Sequence, residues 1–394
     1  MTLLSYYKVI YLLALGEFMV GTTESIVTGI IGMIAKDTQV PLSLAGQLVT
    51  GFSLAFAFGS PLVIAFTASM ERKKLLITVL LLFIAGNLLA FFSPNFSVLM
   101  ASRILLGLSG GVYTVVALAV AANLAPPEKR GSSIGIILMG FSVSLVLGVP
   151  AGTIAGEMWG WRSVFAIIAA LSIIPVLCIS LYLPKLSGQK AIPLRTQLAS
   201  LKNNRILTAL LTSFLFVTGY STVYTYITPL LQTTSGMSTA VVSTTLLLAG
   251  VASAVGSRIG GFATDKWGVR PTLYISLFLH AAILIILPFM AQLIFGAMIT
   301  TMVWMCAVQM TVPAQQYYLI TLSPQSSEIA LSVNTSIFQL GLAAGAGVGG
   351  LILNHYSVAP LGWVGGASVF ISLFLVWLSF SSEKTVTPTT VISK

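Results

Sequence analysis

Two glutamates, Glu17 and Glu24, lie inside the first apolar segment of the chain, 7–35, which is long enough to cross a bilayer. An ionised carboxylate in hydrocarbon costs about 2.5 kcal/mol or more, so each side chain should face a protein interior or a water-filled cavity. The two residues are seven positions apart, which places both on one stripe of a helix, about 10 Å from each other. A stripe of protonatable groups in a membrane helix is what coupling to proton movement requires.

The composition indicates a membrane protein with many spans. Of the 394 residues, 57% are hydrophobic and 7% are charged, and the mean hydropathy is +1.00, whereas a soluble protein is about 25% charged. The first apolar segment is too long for a cleaved signal peptide and contains two acids, so we expect it to be retained. Cys178 and Cys306 lie singly in apolar segments, which predicts no disulfide and no metal site. We expect no cofactor, only a proton gradient.

Twelve segments are apolar and long enough to span a bilayer as helices, which predicts an all-α polytopic membrane protein. These segments are 7–35, 44–68, 75–93, 96–122, 132–155, 162–183, 206–231, 239–263, 272–290, 292–320, 328–354 and 360–381.

The basic residues predict the orientation. Of the nineteen Lys and Arg residues, fifteen lie at the termini or in loops on one side, Lys36 and Arg162 lie on the other, and Arg103 and Arg258 lie within spans. The positive-inside rule then places both termini in the cytoplasm. The net charge of +10 is explained by loops beside anionic lipid, and the loops are too short for a nucleic-acid-binding domain, so we expect no nucleic-acid partner.

The connection 184–205 divides the chain into two halves. It carries five basic residues, no acids and two prolines, and we predict a cytoplasmic linker between a six-helix bundle, 1–183, and a second six-helix bundle with a short cytoplasmic tail, 206–394. The halves echo each other, because Gly256–Arg270 resembles Gly59–Lys74. Internal repeats with a substrate site near the midplane are typical of transporters.

The second-half copy of this repeated motif is the complete one, whereas Ala68 and Ser69 replace the acid and base of the first copy. Glycines in such a motif let two helices approach closely. The acid can pair with a base or cap a neighbouring helix, and the alternative is a simple turn with positive-inside charge. The motif residues with a predicted conformational role are Gly261, Asp265, Lys266, Gly268 and Arg270.

The fifth span contains a glycine-rich element with a proline, Gly148-Val-Pro150-Ala-Gly152. Small residues favour tight helix packing, and a proline bends a helix, so this element suits packing and pivoting. For the individual glycines, packing alone is the alternative.

Together these residues resemble the major facilitator superfamily and, more narrowly, its drug:proton antiporter branch, whose antiporter motif is similar to the fifth-span element. The closest resemblance is to bacterial purine base and nucleoside efflux pumps, and it covers nearly the whole chain. It implies two six-helix bundles in a bacterial plasma membrane, a monomer, and proton-coupled efflux. The matching strings are Ser43–Leu48, Met70–Lys73, Ser93–Phe96, Ile134–Ile137, Met139–Ser142, Pro313–Gln316, Tyr318–Ile320 and Asn334–Ser336.

Away from the ends of the predicted spans, the acids are Glu17 and Glu24, and Arg103 is the basic residue at a matching depth. Depths of about 15 Å for Glu24 and 10 Å for Arg103 predict an ion pair that protonation releases. Glu17 would then relay the proton or bind the substrate. Snorkelling to headgroups is the alternative for Arg103 and the better reading for Arg258. We expect His280 to be a hydrogen-bonded core histidine rather than a proton carrier.

A substrate lining is predicted from aromatic and amide side chains in the seventh, tenth and eleventh spans. Flat aromatic faces and amides suit a neutral planar heterocycle with several donors and acceptors. The alternative for each residue is hydrogen bonding between helices. The predicted substrate-binding residues are Glu17, Tyr220, Tyr224, Gln309, Gln316, Asn334 and Gln339, and Tyr226 and Gln315 lie beside them in the sequence.

The sequence therefore predicts alternating-access efflux of purine bases or nucleosides, with protons, lipid and the small-molecule substrate as partners. Multidrug efflux, of compounds such as chloramphenicol, and sugar efflux are the alternatives. A membrane-embedded enzyme is disfavoured because the chain has two histidines and no catalytic cluster at membrane depth. A channel is disfavoured because six-plus-six repeats with polar spans are typical of alternating access.

Overall fold

The computed structural model describes residues 3–67, 69–124, 130–187, 204–322 and 327–381, and within these ranges the chain is helical, without strands. Twelve helices are long and apolar enough to cross a bilayer, which confirms the predicted fold class. In chain order, α1 to α12 are Tyr7–Asp37, Leu42–Ile64, Arg72–Phe91, Phe96–Ala121, Gly135–Trp159, Trp161–Tyr182, Asn204–Tyr224, Thr239–Trp267, Val269–Met290, Ile294–Leu322, Val333–His355 and Pro360–Ser381.

Several helices run beyond the membrane-length segments. Regular helix begins at Leu3 before α1 and at Ser327 before α11. Most of the predicted linker, 188–203, and the predicted tail, 382–394, lie outside the described residues, so the division at 184–205 stays a prediction. Below, α1 to α6 are called the N-terminal half and α7 to α12 the C-terminal half.

Three acids are added to the helices by these longer bounds. Because α1 ends at Asp37, α5 at Trp159 and α8 at Trp267, the acids Asp37, Glu157 and Asp265 lie on helices rather than in loops. The prediction that the α1 glutamates are the only acids within spans was therefore wrong. The added acids differ from them physically, since all three are exposed and lie within two residues of a helix end.

The seventh span is broken, although the sequence predicts it as one helix. Helix α7 ends at Tyr224, and a separate short helix covers Ile227–Ser235. Pro229 explains the break, because a proline lacks the N–H that would bond to the carbonyl of Thr225 one turn earlier. The hydroxyl of Tyr226, at the break, donates to the Ala346 carbonyl on α11 at 2.9 Å.

Helices α2 and α5 each contain a wider turn just before a proline. The π-helical turns are Ala55–Gly59, before Pro61, and Ser144–Gly148, before Pro150. A proline removes one i→i−4 hydrogen bond, and a π turn absorbs the resulting misfit without ending the helix. The predicted bend at Pro150 therefore takes the form of a local widening.

Helix α1 lies directly against α5 along a seam of small residues. A side chain at Gly148 would collide with Thr22, and one at Gly152 would collide with Ile26. A side chain at Gly140 would meet the Ala14 backbone and the Cβ of Glu17. The glycines of the fifth span thus bring α5 against the face of α1 that carries the buried carboxylates.

The C-terminal half repeats this seam between α7 and α11. A side chain at Gly345 would collide with the backbone of Thr218 and the side chain of Ser221, and one at Gly341 would press on Val217. The hydroxyl of Ser221 also donates to the Leu342 carbonyl at 2.7 Å. The first and fifth helices of each half therefore pack with almost no intervening side chains.

The two halves meet through α2 on α11, α5 on α8, and α1 on the short helix after α7. At one face of the bundle the Ser43 hydroxyl donates to the Asn354 amide oxygen, and deeper in, the Thr50 hydroxyl donates to the Ala343 carbonyl at 3.2 Å. At the other end of α2, Ser60–Phe66 packs mainly on α4 of its own half. The halves are thus tied together at the face that carries Ser43 and Asn354, which is called the closed face below.

Gly345→Ala should destabilise the protein, whereas Gly347→Ala should not. The added methyl group at position 345 collides with α7, while nothing lies within 4 Å at position 347. Both substitutions gain the same helix propensity, about 1 kcal/mol, so their difference isolates overpacking of about 1–3 kcal/mol. We expect a lower thermal midpoint in detergent for Gly345→Ala than for its neighbour. Equal midpoints would contradict the close packing of α7 on α11.

Candidate functional site

Glu17 is buried between α1, α4 and α5. The Thr114 hydroxyl of α4 lies 2.9 Å from one carboxylate oxygen and 3.1 Å from the other, and it donates to one of them at a time. The side chain is 3% exposed, and the Gly140 backbone packs beside its Cβ. A carboxylate with a single hydroxyl donor is poorly compensated for its burial, so its protonation state responds to whatever else approaches it.

Glu24 is half-buried and joins the two halves. Its carboxylate accepts a hydrogen bond from the Gln339 amide of α11 at 3.1 Å. Glu24 also lies within electrostatic reach of the Tyr220 phenol on α7. Glu24 is therefore a polar, titratable contact of α1 with the C-terminal half, in addition to the packing of α1 on the short helix after α7.

Arg103 is fully buried and binds backbone carbonyls rather than a carboxylate. Its guanidinium donates to the Thr23 carbonyl at 2.6 Å, the Glu24 carbonyl at 3.2 Å and the Leu48 carbonyl at 3.3 Å. The Phe52 ring lies 4.5 Å from the guanidinium carbon. The predicted ion pair with the Glu24 carboxylate is not formed, because no carboxylate oxygen of Glu24 lies within 4.0 Å of Arg103 among the described ion pairs. Full burial also excludes snorkelling in this structure.

Asn87 on α3 completes the polar cluster around Arg103 and was not among the predicted site residues. Its amide donates to the Phe83 carbonyl at 3.0 Å, and its amide oxygen lies 3.5 Å from the Thr23 hydroxyl. A fully buried asparagine in an apolar span is itself a signal of interhelical bonding, so the sequence did contain a way to find it. Arg103, Thr23 and Asn87 hold α1, α3 and α4 together beside Glu24.

The predicted tyrosines Tyr220 and Tyr224 form the edge of an aromatic cluster. Their rings stack with centroids 4.8 Å apart. Trp304 of α10 lies 5.6 Å from Tyr220 and 6.4 Å from Tyr224, and His280 of α9 lies 6.3 Å from Trp304. Trp304 was missed by the sequence analysis, since one tryptophan in an apolar span carries no distinguishing pattern.

His280 does not fit the expectation of a hydrogen-bonded core histidine. It is fully buried, and neither ring nitrogen has a hydrogen-bond partner among the described residues. The imidazole touches the indole of Trp304 instead of a polar group. That expectation was wrong because the imidazole has a ring contact with Trp304 but no hydrogen-bond partner among the described residues.

The predicted amides take different positions. Gln339 binds Glu24, and Asn334 is buried with its amide oxygen unpartnered. Gln309 and Gln316 on α10 are half-buried. Gln315, by contrast, donates to the Ala209 carbonyl at 2.6 Å and the Ser213 hydroxyl at 3.1 Å, which is the interhelical bonding considered as the alternative.

The repeated motif lies at the face opposite the closed face, and its geometry differs from the prediction. Gly261 has nothing within 4 Å of an added Cβ, so it brings no helix closer. Asp265 forms no ion pair within the part of the chain described, while the Lys266 ammonium lies over Phe262 at 5.5 Å. Gly268 links α8 to α9 with a φ of 86°, which requires glycine.

The close approach that the motif predicts does occur, at its other two glycines in α8. Gly256 and Gly260 of α8 press on the backbone of Cys306 and Met310 of α10. Arg270 lies over the rings of Tyr274 and Phe380, at 5.7 and 5.8 Å. Cation–π contacts therefore replace the predicted acid–base pair in the described structure.

Twelve membrane-length helices with buried carboxylates and amides between them define a membrane transporter. Residues 13–328 match the model of the Major Facilitator Superfamily, and the chain belongs to that superfamily. The described residues hold no group of three or more His, Cys, Asp or Glu side chains placed to bind a metal.

Relatives in Bacillus subtilis (strain 168) and Escherichia coli (strain K12) support this membership. The chain is 41% identical to the "uncharacterized MFS-type transporter YbcL" of the former, over 95% of this chain and 96% of that one. It is 34% identical to the "inner membrane transport protein YdhP" of the latter, over 93% of this chain and 94% of that one. Neither name states a cargo, so the drug:proton antiporter branch and the purine resemblance stay predictions.

Solved structures show the same fold. A bacterial homologue of the human lysosomal transporter Spinster, inward-facing and unoccupied, superposes with a TM-score of 0.83 at 16% identity, covering 99% of this chain and 100% of that one. A D-xylose–proton symporter superposes with a TM-score of 0.77 at 17% identity, covering 94% and 97%. At these identities the likeness concerns the fold alone.

Arg103→Lys should destabilise the protein strongly. A lysine ammonium is a point charge and cannot reach carbonyls on two helices at once, and each hydrogen bond lost by the buried charge costs about 1.5–3 kcal/mol. We expect a clear fall in the thermal midpoint in detergent. The matched control is Arg258→Lys, because Arg258 is exposed on α8.

Glu24→Gln serves as a second comparison for the Arg103→Lys variant. Arg103 contacts the Glu24 backbone and not its carboxylate, so this variant should keep a midpoint near that of the parent protein. A midpoint for Arg103→Lys equal to that of Arg258→Lys would refute the bracing role of Arg103.

Proposed function

We propose that this protein is a proton-coupled exporter of small planar organic molecules, with purine bases or nucleosides as the preferred cargo. The observation that carries the proposal is the hydrogen bond between the Glu24 carboxylate and Gln339, since a titratable side chain here is part of the contact between the two halves. A change of proton occupancy at Glu24 therefore acts directly on whether the halves hold together.

The coupling step follows from hydrogen-bond strength. Ionised Glu24 accepts a charge-assisted hydrogen bond from the Gln339 amide, which is about twice as strong as a neutral one. Protonation removes that charge and weakens the tie between α1 and α11. The remaining ties at the closed face, from Ser43 and Thr50 to α11, involve neutral groups. Proton binding thus favours separation of the halves at the closed face.

Glu17 has a different task in this scheme. Among the described residues its carboxylate bonds to Thr114 of its own half, so its protonation does not directly loosen the contact between halves. It lies on the same stripe of α1, within electrostatic reach of Glu24. We assign Glu17 to proton relay or to cargo contact. A negative charge on either glutamate disfavours a negative charge on the other.

The cargo site lies between Glu24 and the aromatic cluster of the C-terminal half. Tyr220 is half-buried and within electrostatic reach of Glu24. Gln339 and Asn334 bring to the same half amide oxygens that have no partner among the described residues. Aromatic faces stack on flat rings, and amide oxygens accept from their N–H groups. These chemical groups fit a neutral heterocycle better than a sugar, which lacks a flat face.

Efflux from a bacterial cytoplasm across the plasma membrane agrees with the charge distribution. The basic residues place the closed face outside by the positive-inside rule. With that orientation, the contacts of Ser43 and Thr50 with α11 lie on the exterior side, which supports a path for cargo from the cytoplasm. We propose that the protein acts as a monomer, since each half of the site comes from the same chain.

Glu24→Gln should abolish pH-driven transport while sparing exchange. Glutamine keeps the size and hydrogen-bonding capacity of the side chain but cannot take up a proton. In proteoliposomes we expect cargo counterflow without a gradient to persist, and accumulation driven by an imposed pH gradient to fall to the level of empty vesicles. Glu157→Gln, exposed near the end of α5, is the matched control. Full pH-driven accumulation by Glu24→Gln would exclude the coupling role.

The cargo class is tested by counterflow with labelled adenine, hypoxanthine, guanine, an arabinoside and chloramphenicol, with and without a pH gradient. We expect exchange of the three bases, and concentration of them only when the gradient is present. Transport of chloramphenicol alone would favour drug efflux, and transport of the arabinoside alone would favour sugar efflux. Single-channel current in a planar bilayer would overturn the carrier mechanism.

A further inference from the structure

The C-terminal half contains a buried aromatic cluster with unused hydrogen-bonding capacity. Its members are Tyr220 and Tyr224 on α7, Trp304 on α10 and His280 on α9, which are linked by ring contacts of 4.8 to 6.4 Å between centroids. Trp304 and His280 are fully buried. The indole Nε1 and both imidazole nitrogens have no hydrogen-bond partner among the described residues.

Such atoms are unusual, because buried polar groups are nearly always paired. Leaving three nitrogens in one cluster unpaired is costly for folding, so the cluster is arranged for something other than stability. Purely apolar rings of similar shape would pack there without that penalty. The geometry indicates that the nitrogens serve a ligand.

The corresponding cluster of the N-terminal half makes the contrast clear. Helices α1, α3 and α4 occupy the places that α7, α9 and α10 occupy in the second repeat, and they join through Thr23, Asn87 and Arg103. There Arg103 donates three hydrogen bonds, and Asn87 bonds to the Phe83 carbonyl. The polar groups of this first-half cluster are thus used to brace helices, whereas the indole and imidazole nitrogens of the second-half cluster have no partner among the described residues.

We propose that Trp304 and His280 form the hydrogen-bonding edge of a subsite for a heteroaromatic ring, with Tyr220 as its movable face. This proposal rests on the proposed function and names the part of the site that selects the cargo. Tyr220 is the half-buried member of the cluster, so it is the ring that an incoming cargo displaces. A flat ring that replaces Tyr220 in its stack with Tyr224 lies beside the indole of Trp304.

The chemistry of the two side chains defines what they select. An indole N–H only donates, so Trp304 requires an acceptor such as an unprotonated ring nitrogen. A neutral imidazole has one donor and one acceptor, so His280 can bond to an exocyclic amino or carbonyl group. A purine base presents both kinds of group on one flat ring. A hydrocarbon-rich drug presents neither, and a sugar has no aromatic face and no ring nitrogen.

The test compares adenine with its 1-, 3- and 7-deaza analogues, each of which replaces one ring nitrogen with C–H. With the parent protein in proteoliposomes, we expect one analogue to have a KM about fivefold above that of adenine, the loss of one hydrogen bond. Trp304→Phe keeps an aromatic ring but lacks the N–H. In this variant the KM of adenine should itself rise about fivefold, and the difference in KM between adenine and that analogue should vanish. Trp363→Phe, on the partly exposed face of α12, is the matched control and should keep it.

His280→Phe provides an independent second variant in case Trp304→Phe folds poorly. It should remove the preference for adenine over unsubstituted purine, which lacks the exocyclic amino group, without changing the deaza series. If the parent protein does not discriminate between adenine and its analogues, or if both variants discriminate as the parent does, the subsite is overturned. Adenine transport by the parent protein would then still uphold the proposed function. Failure of the parent protein to move any base would reject the proposed cargo, and the subsite with it.

Discussion

A guanidinium buried at membrane depth has to find its hydrogen-bond acceptors inside the protein, because hydrocarbon offers none. Arg103 finds them on the backbones of α1 and α2, at Thr23, Glu24 and Leu48. This one side chain therefore fixes the helix that carries the carboxylates relative to a helix that contacts the C-terminal half. The Glu24 carboxylate, which Arg103 does not neutralise directly, is left to point toward α11. The hydrogen bonds of Arg103 thus both hold α1 in position and leave the Glu24 carboxylate available to α11.

Small residues then bring the helices close enough for short side chains to bond between them. Gly140, Gly148 and Gly152 place α5 against α1, and Gly345 places α11 against α7. The hydrogen bond between Glu24 and Gln339, at 3.1 Å, joins the two halves. So short a distance requires that neighbouring helices of each half hold α1 and α11 in position. Proline-associated π turns in α2 and α5 lie on the helices that contact the other half, where a change of helix arrangement has to be absorbed.

The two halves share one helix arrangement but use different chemistry at matching places. The N-terminal half carries the carboxylates and a guanidinium whose hydrogen bonds are made within its own helices. The C-terminal half carries stacked aromatic rings, and the nitrogens of Trp304 and His280 have no hydrogen-bond partner among the described residues. In the proposed mechanism this difference is the physical basis for coupling, since proton and cargo would act on opposite sides of the same contact.

The sequence by itself determined the twelve helices, because the length and hydropathy of each segment are local properties. It also determined the carboxylate stripe, since a spacing of seven residues fixes the face of a helix. Partner choice was decided only by the tertiary structure. Gln339 reaches Glu24 from 315 residues away in the chain, and Arg103 prefers helix carbonyls to the expected carboxylate. A depth estimate gives the level of a side chain in the membrane, but not the direction in which its helix turns it, and that direction depends on the packing of all neighbouring helices.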